Sequence, residues 1–382
     1  MARWLLPEGI SDVLPLEAQR VEQLRRQILD EFGRFGYELV IPPLIEYVES
    51  LLSATAADLD LRTFKLTDQS SGRLMGVRAD TTPQVARIDA HILNRAGVTR
   101  LCYAGSVLHA RPLHPLAPRE VFQIGAELYG SAMRAADAEV LQLATRSLRV
   151  AGIEHVRLDL GHSGIVRALL AMDGEAAERA AEIVAALSVK DGPALRQVTL
   201  DLQAPVREGL RALVQLHGGR ETIEAARSGL PPAPGLHSIL DDLLWLADHV
   251  AADVINFDLA DVHGSQYHTG MSFATYLPDG VGSVLRGGRY DDIGRAFGRA
   301  RPATGFSIDL RELARLTAAA PAGDAILAPH DPDAGLAAMI DSLRAAGETV
   351  VVQLAVDEPV ADGRFARTLR RQGGVWQVVP IE

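Results

Sequence analysis

Hydrophobic residues recur at helical spacing near the start of the chain, over residues 16–36. Val21, Leu24, Ile28 and Phe32 fall on one face of a helix, with polar residues between them. This spacing predicts an amphipathic helix that packs one side against the core.

The next segments have the alternation that is typical of strands. Residues 37–47 alternate and are rich in branched side chains, but Pro42 and Pro43 remove two backbone donors. This strand must therefore end at the prolines or lie at an edge or interface. Residues 61–90 predict a hairpin followed by a helix with Pro83 in its first turn.

Further strands are predicted at 99–105 and 119–130, on either side of a proline-rich loop at 109–118. A helix at 136–152 and a strand at 155–162 follow. Strands in an antiparallel arrangement with helices packed against them indicate an α+β fold rather than a βαβ alternation.

The second half of the chain begins with a helical insertion, predicted at about residues 166–250 and interrupted by Gly and Pro. Strands then resume, and a helix is predicted over residues 304–316. A strand, a helix and a strand within the last 60 or so residues predict a small α/β appendix. We therefore divide the chain into a large domain, 1–322, and a small C-terminal region, 323–382.

Composition narrows the class of protein. The chain has 382 residues, of which 48% are apolar, so it can bury a large core. No segment approaches the roughly 20 apolar residues of a membrane span, and the N-terminus lacks the apolar run of a signal peptide. We expect a cytoplasmic protein with no membrane contact, in which Cys102 is a structural thiol. The net charge of -11 argues against binding to a phosphate backbone, and so against tRNA.

Several polar residues are placed to form one cleft. Gln123, Gly125 and Glu127 have the same parity on a predicted strand, so an amide and a carboxylate point to one face with a glycine between them. Asp80 and Thr82 lie where a strand becomes a helix. An ammonium group, a carboxylate and an imidazole are the groups that such side chains can bind.

Four segments, taken together and in this order, resemble the catalytic core of class II histidyl-tRNA synthetases. The first is PEGISDVLP with GYELVIPPLIEY, which is similar to the dimer-forming first motif of the class. VRADTTPQVAR resembles the strand-to-helix turn of the family, and residues 105–130 match its second motif without a gap. HGSQYHTGMSF, GGRYDDIG and ATGFSIDLREL resemble its histidine-specific loop and third motif. The resemblance implies an antiparallel sheet flanked by helices.

The resemblance also implies a binding site for histidine. Asp80, Thr82 and Gln123 would contact the ammonium and carboxylate groups. The imidazole would be enclosed by Glu127 and by residues of the YHTG loop, namely Tyr267, His268 and Gly270. Plainer explanations remain open.

Each of these residues has a structural alternative. Asp80 is also placed to cap the following helix. Gln123 and Glu127 also fit the solvated face of an ordinary strand, and Tyr267 and His268 also fit simple packing roles. The glycine-rich GGRYD lacks the spacing of a phosphate-binding P-loop, so we interpret it as a backbone turn.

The sequence lacks the arginines that adenylation requires. In the second motif, the positions of two family arginines hold His109 and Pro112. The catalytic arginine of the family aligns with His263, and that of the third motif with Glu312, one position from Arg311. Permanent positive charge on the triphosphate is therefore missing, unless the register is shifted at the third motif.

A histidine pocket without these arginines resembles the regulatory subunits of short-form ATP phosphoribosyltransferase, which are paralogues of the synthetases. The resemblance implies no catalytic residue, no cofactor and no metal in this chain. It implies a separate catalytic subunit as partner, a homodimer formed through the first class II motif, and free histidine as the feedback effector. The alternatives are a divergent synthetase or ligase, and a histidine-binding paralogue with another partner.

Overall fold

The computed structural model describes residues 4–52, 57–112, 117–262, 268–278, 282–317, 325–354 and 365–381. The chain forms two compact units, Met1–Thr317 and Ala318–Glu382. In the described parts of both units, no helix is long and apolar enough to cross a membrane.

The helices are, in chain order, α1 (Pro15–Arg34), α2 (Val48–Leu51), α3 (Ala57–Arg62), α4 (Thr82–Arg87), α5 (Arg134–Val150), α6 (Ser163–Leu170), α7 (Gly174–Glu178), α8 (Ala180–Ser188), α9 (Gly192–Val198), α10 (Ala204–Leu213), α11 (Glu221–Gly229), α12 (Leu236–His249), α13 (Leu310–Leu316) and α14 (Ala334–Ala345). Seven of those named, α6 to α12, follow one another with one short strand between them.

The strands are β1 (Glu38–Leu39), β2 (Ile45–Tyr47), β3 (Phe64–Thr67), β4 (Leu74–Val77), β5 (Thr99–Leu108), β6 (Glu120–Tyr129), β7 (Arg157–His162), β8 (His217–Gly218), β9 (Val254–Asp258), β10 (Met271–Tyr276), β11 (Ser283–Arg289), β12 (Ala303–Asp309), β13 (Ala325–Ala328), β14 (Val350–Val352), β15 (Phe365–Gln372) and β16 (Val375–Pro380).

The large unit is organised around one sheet. Among the described residues, nine strands form this sheet in the order β1-β5-β6-β12-β11-β10-β7-β9-β8. Its central pairs are antiparallel, whereas β1 pairs with β5, and β7 with β9, in parallel. A smaller sheet contains β2, β4 and β3. The predicted α+β class and the antiparallel central sheet are confirmed, as is the short hairpin, which β3 and β4 form.

The two faces of β6 have different environments. Ile124, Ala126 and Leu128 are buried in the main hydrophobic core, which also contains apolar residues of α1, α5 and the helical segment. The residues between them, Gln123, Gly125, Glu127 and Tyr129, therefore lie on the opposite face. A second, smaller core beside α4, which includes Val85 and Tyr103, covers part of that face.

One predicted helix is a strand over its first half. Residues 304–309 belong to β12, and helix α13 begins only at Leu310. In the sheet, β12 pairs with β6 on one side and with β11 on the other, and these backbone hydrogen bonds fix the extended conformation. The Asp309 side chain accepts from the backbone N–H of Arg311 and caps α13.

The small unit is a four-stranded sheet in the order β14-β13-β15-β16, counted over its described residues. Ile326, Leu336, Ile340 and Leu369 form its core together with Ala328 and Val350. The sequence predicted β13, α14 and β14, but it did not predict the antiparallel hairpin of β15 and β16. The prediction for the small unit was therefore incomplete.

Candidate functional site

Glu127 lies on β6, an interior strand of the large sheet, and is 1% exposed. Its strand pairs with β5 and β12, which place Leu101 and Gly305 opposite Glu127. The hydroxyl groups of Thr82 and Tyr103 donate to Glu127 Oε1 at 2.9 and 3.2 Å. One carboxylate oxygen is thus held by two hydroxyls from two different elements.

The second oxygen of Glu127, Oε2, is buried without a hydrogen-bond partner among the described residues. Burial raises the pKa of the Glu127 carboxyl well above its ordinary value, and the Asp80 carboxylate adds to this effect. The hydrogen bonds from Thr82 and Tyr103 act in the opposite direction. A buried oxygen that lacks a donor costs free energy, which a ligand N–H can recover.

Asp80 and Gln123 form a second polar group on the same face. Gln123 donates from Nε2 to Asp80 Oδ1 at 2.9 Å, and its Oε1 accepts from the backbone N–H of Thr81 at 3.0 Å. Asp80 Oδ1 also accepts from the backbone N–H of Thr82 at 3.2 Å. Asp80 therefore helps to order the start of α4, although the capping position itself is Thr81. These contacts leave the predicted role of Asp80 in binding a ligand as a prediction.

Two glycines form the floor next to Glu127. Gly305 and Gly288 face each other on β12 and β11. A Cβ atom on Gly305 would lie 1.8 Å from Glu127 Oε2 and 2.4 Å from the Tyr290 hydroxyl. A Cβ atom on Gly288 would lie 2.9 Å from the ring of His268. Glu127, Tyr290 and His268 therefore border a strip of sheet that has no side chains of its own.

The sequence did not identify Tyr103 or Tyr290 as residues of this site. Tyr103 is 1% exposed and lies on β5 directly opposite Gly125. The alternation along β6 placed Gly125 between Gln123 and Glu127 on one face, but a Cβ atom on Gly125 would be 2.4 Å from the Tyr103 hydroxyl. The hydroxyl already fills this space. Tyr103 lies on the same face of the sheet as Gln123 and Glu127. A single aromatic residue on a predicted strand does not indicate a binding site, so the sequence did not point to it.

The loop that enters β10 approaches the same floor. Gly270 O accepts from the backbone N–H and the hydroxyl of Ser163, at 3.0 and 3.1 Å. Arg167 on α6 donates to Thr269 O and, at 3.0 Å, to the Ser163 hydroxyl. The first helix of the helical segment thus anchors this loop. Tyr267 lies outside the described residues, whereas His268 and Gly270 are described.

The positions aligned with family arginines have other contacts. His109 is buried, with its Nε2 3.0 Å from Ala79 O. Arg111 and Pro112 are exposed. Glu312 is exposed on α13 and lies 3.8 Å from Arg315. These side chains do not place a guanidinium group on the floor. His263 lies outside the described residues.

Arg311 is also engaged elsewhere. It is 4% exposed and donates from Nη2 to the Ser11 hydroxyl at 3.0 Å. Its Nε lies 3.5 Å from Glu17. Arg311 therefore ties α13 to the N-terminal segment of the large unit.

Arg78 is a further residue that the sequence did not identify, although it belongs to a quoted motif. It is 6% exposed and donates from Nε to Ser106 O at 2.8 Å and from Nη1 to Pro42 O at 3.0 Å. Its Nη2 lies over Gly105, where a Cβ atom would be 2.4 Å away. Gly105 is directly opposite Gln123. A guanidinium group therefore lies at the Gln123 end of the site.

Two family models match the chain. That of histidyl-tRNA synthetase matches residues 9–313, and that of the ATP phosphoribosyltransferase subunit HisZ C-terminal domain matches residues 322–379. A histidyl-tRNA synthetase from Nostoc sp. PCC 7120 has the same fold, with a TM-score of 0.78 at 16% identity over 100% of this chain and 97% of the other. The large unit therefore has the fold of the class II aminoacyl-tRNA synthetases, in the histidyl branch.

Similarity over the full length narrows this class. A curated relative from Burkholderia cenocepacia (strain J2315) is 53% identical over 382 residues, with 100% of each chain covered, and is named ATP phosphoribosyltransferase regulatory subunit. A relative from Burkholderia vietnamiensis with the same name is 52% identical over the same coverage. A structure from Bacillus halodurans C, titled as an ATP phosphoribosyltransferase regulatory subunit/histidyl-tRNA synthetase, has a TM-score of 0.83 at 29% identity, covering 94% of this chain and 95% of the other.

The chain belongs to the family of ATP phosphoribosyltransferase regulatory subunits. Its role is regulatory rather than catalytic, and catalysis belongs to a partner subunit. The predictions of family, role and catalytic partner are confirmed. The predicted histidine contacts stay a prediction.

Proposed function

We propose that this chain binds free histidine in the cleft bounded by Glu127, Asp80 and His268, and that it transmits feedback inhibition to the catalytic subunit of a short-form ATP phosphoribosyltransferase. The observation that carries the proposal is Glu127, whose Oε2 is buried next to the glycine floor and has no hydrogen-bond partner in the described part of the chain. An imidazole N–H is a donor of suitable size and polarity for this oxygen.

The charges of the site also favour an amino acid with a basic side chain. Asp80 lies near the start of α4, and its carboxylate would stabilise a ligand ammonium group. Gln123 is held in place by Asp80 and Thr81, so its orientation is already fixed before a ligand arrives. Tyr267 and Gly270 complete the proposed enclosure of the imidazole.

Inhibition requires more than binding. Histidine must bind two quaternary states of the complex with different affinity, because an effector that binds both equally shifts nothing. The loop that ends at Gly270 is anchored to α6 through Ser163 and Arg167, which offers a physical connection from the pocket to the helical segment. A shift of this loop on histidine binding would change its contacts with α6.

We further propose a homodimer formed through the first class II motif. Leu39, Ile41, Leu44 and Ile45 are 50%, 83%, 43% and 41% exposed around the two prolines of this segment. Large apolar side chains that are exposed together favour burial against a second copy. We expect the protein to act in the cytoplasm without binding tRNA, consistent with its net charge of -11.

Calorimetric titration of the purified chain with histidine and with ATP, alone and with the catalytic subunit, tests the proposal. We expect histidine to bind and to inhibit the assembled complex. Glu127→Ala and Asp80→Ala should each lose this inhibition. Glu120→Ala, on the same strand at its outer end, is the matched control and should keep it.

Two outcomes contradict the proposal. If Glu127→Ala and Asp80→Ala are both inhibited normally, the effector site lies elsewhere. If the chain catalyses histidine-dependent exchange of pyrophosphate with ATP, it is a divergent synthetase rather than a regulatory subunit.

A further inference from the structure

Arg78 is a buried cation that has no counter-ion among the described residues. It is 6% exposed, and both of its described hydrogen bonds go to backbone carbonyls, those of Ser106 and Pro42. Within the described part of the chain, no carboxylate forms an ion pair with it. The Glu46 carboxylate is near enough to act on the pKa of Arg78, against the lowering by burial. However, Glu46 Oε1 already accepts from Arg87 at 2.5 Å and from Gln84 at 2.9 Å.

Such an arrangement is costly unless an anion completes it. Arginine stays protonated at neutral pH even when burial lowers its pKa, as it does for Arg78. Buried charges in proteins are normally paired. Arg78 Nη2 has no acceptor among the described residues, so its N–H groups are able to donate to a ligand.

The position of Nη2 indicates where a bound anionic group would lie. It lies over Gly105, where a side chain would otherwise project from the site face of β5, and Gly105 is opposite Gln123. Gln123 and Glu127 are four residues apart on β6, which at the usual strand rise is about 13 Å. Arg78 and Glu127 thus lie at opposite ends of one face.

A bound histidine is comparable in length to this separation of the two backbone positions on β6. Its distal ring nitrogen and its carboxylate are about 6 Å apart, and a hydrogen bond of about 3 Å at each end extends the span to roughly 12 Å. With the imidazole on Glu127 Oε2, the carboxylate would reach the end of the site that contains Gln123 and Arg78. We propose that Arg78 is the cation that binds the α-carboxylate of the effector.

This inference rests on the proposed function and deepens it. Asp80 and Gln123 remain contacts of the ligand, with Asp80 on the ammonium group. Arg78 adds a criterion of specificity, because a histidine analogue without a carboxylate would leave the guanidinium group unpaired. The site would then select a free amino acid over its decarboxylated, reduced or amidated forms.

The experiment compares histidine with histidinol, which keeps the imidazole and the ammonium group but has a hydroxymethyl group in place of the carboxylate. Both are titrated into the full-length wild-type chain and into Arg78→Gln. Loss of a charge-assisted hydrogen bond commonly lowers binding affinity by about tenfold or more. We expect wild type to prefer histidine by at least about tenfold, and Arg78→Gln to bind both compounds with similar affinity.

Two further variants complete the design. Arg78→Lys keeps the charge and should keep part of the preference for histidine. Arg119→Gln is the matched control, because Arg119 also donates to two backbone carbonyls, of His109 and Glu8, and should keep the whole preference. If Arg78→Gln does not fold, Gly105→Ala replaces it, since its methyl group would displace Nη2.

The outcomes separate the two proposals. If wild type does not bind histidine, the proposed function fails. If it binds histidine and histidinol equally, the inference about Arg78 alone is wrong. The inference is also overturned if Arg78→Gln weakens both compounds by the same factor, since that result indicates a structural role only, or if Gly105→Ala, used in its place, keeps the preference.

Discussion

The hydroxyl of Tyr103 fills the space that a side chain at Gly125 would occupy. The two residues are directly opposite each other on β5 and β6, and a Cβ atom on Gly125 would be 2.4 Å from the hydroxyl. From this position the hydroxyl lies 3.2 Å from both Thr82 Oγ1 and Glu127 Oε1. The glycine thus allows the tyrosine to hold the carboxylate of the proposed site.

Removal of this hydroxyl should weaken histidine binding. Tyr103→Phe deletes a hydrogen bond of about 1 kcal/mol, so we expect the affinity for histidine to fall about fivefold. Calorimetric titration measures this change. Tyr37→Phe is the matched control, because Tyr37 is also buried and donates to a carboxylate, that of Glu139, at 3.2 Å. Equal effects of both variants would show that Tyr103 has no special role.

A methyl group on Gly305 should close the site. In Gly305→Ala the new carbon would lie 1.8 Å from Glu127 Oε2 and displace it, so we expect loss of histidine binding together with overpacking of about 1–3 kcal/mol. The measurements are the histidine affinity and the free energy of unfolding.

Gly287→Ala controls for crowding. Its Cβ atom would lie 2.4 Å from Gly305 O and 2.5 Å from the Phe273 ring, on the core side of the sheet. It should lower stability but keep the affinity of the folded protein for histidine. If Gly305→Ala binds histidine normally, the floor beside Glu127 is not part of the binding site.

The stability of the ligand-free protein should depend on pH through Glu127. Because burial raises its pKa in the folded state, its contribution is fully present below the ordinary value of 4.5 and is lost as pH rises through the raised value. In Glu127→Gln this loss disappears. We therefore expect the free energy of unfolding of the variant to gain on wild type as pH rises, as measured by urea unfolding at several pH values. A difference that stays constant from pH 4 upward would contradict the raised pKa.

His162 should affect the stability of the protein at acid pH. Burial, followed by the charges of Arg167 and Arg289, lowers its pKa from 6.5 to about 4. Its contribution to stability is therefore present above pH 6.5 and is lost as pH falls through about 4. His162 Nδ1 accepts from the backbone N–H of Gly164, a cap that asparagine can also provide.

We expect His162→Asn to be less sensitive to acid than wild type, by at most about 3 kcal/mol between the two pH limits. Denaturant unfolding of both proteins over this range gives the comparison. His155→Asn is a suitable control because the His155 side chain is 79% exposed. The same flattening in both variants would contradict a specific role for His162.

Sequence patterns alone predicted much of this architecture. The periodicity of α1 and the alternation of β6 reflect burial on one side of a helix and on one face of a strand, which a linear sequence records directly. The same alternation placed Gln123 and Glu127 on one face, and four motifs in register indicated the family. These features depend on neighbours in the sequence, so they are visible without a structure.

Pairing between distant segments decided the rest. Residues 304–309 have apolar positions that suit either a helix or a strand, and they are extended because β6 and β11 supply hydrogen bonds on both sides. The hydroxyl of Tyr103 reaches Glu127 because the register between β5 and β6 places it opposite a glycine. Arg78 lies over Gly105, the residue opposite Gln123, because its guanidinium group donates to Ser106 O and Pro42 O. The sequence determined which residues face the cleft, and only the tertiary structure determined which of them meet, because strand register and the packing of α4 bring together residues that are far apart in the chain.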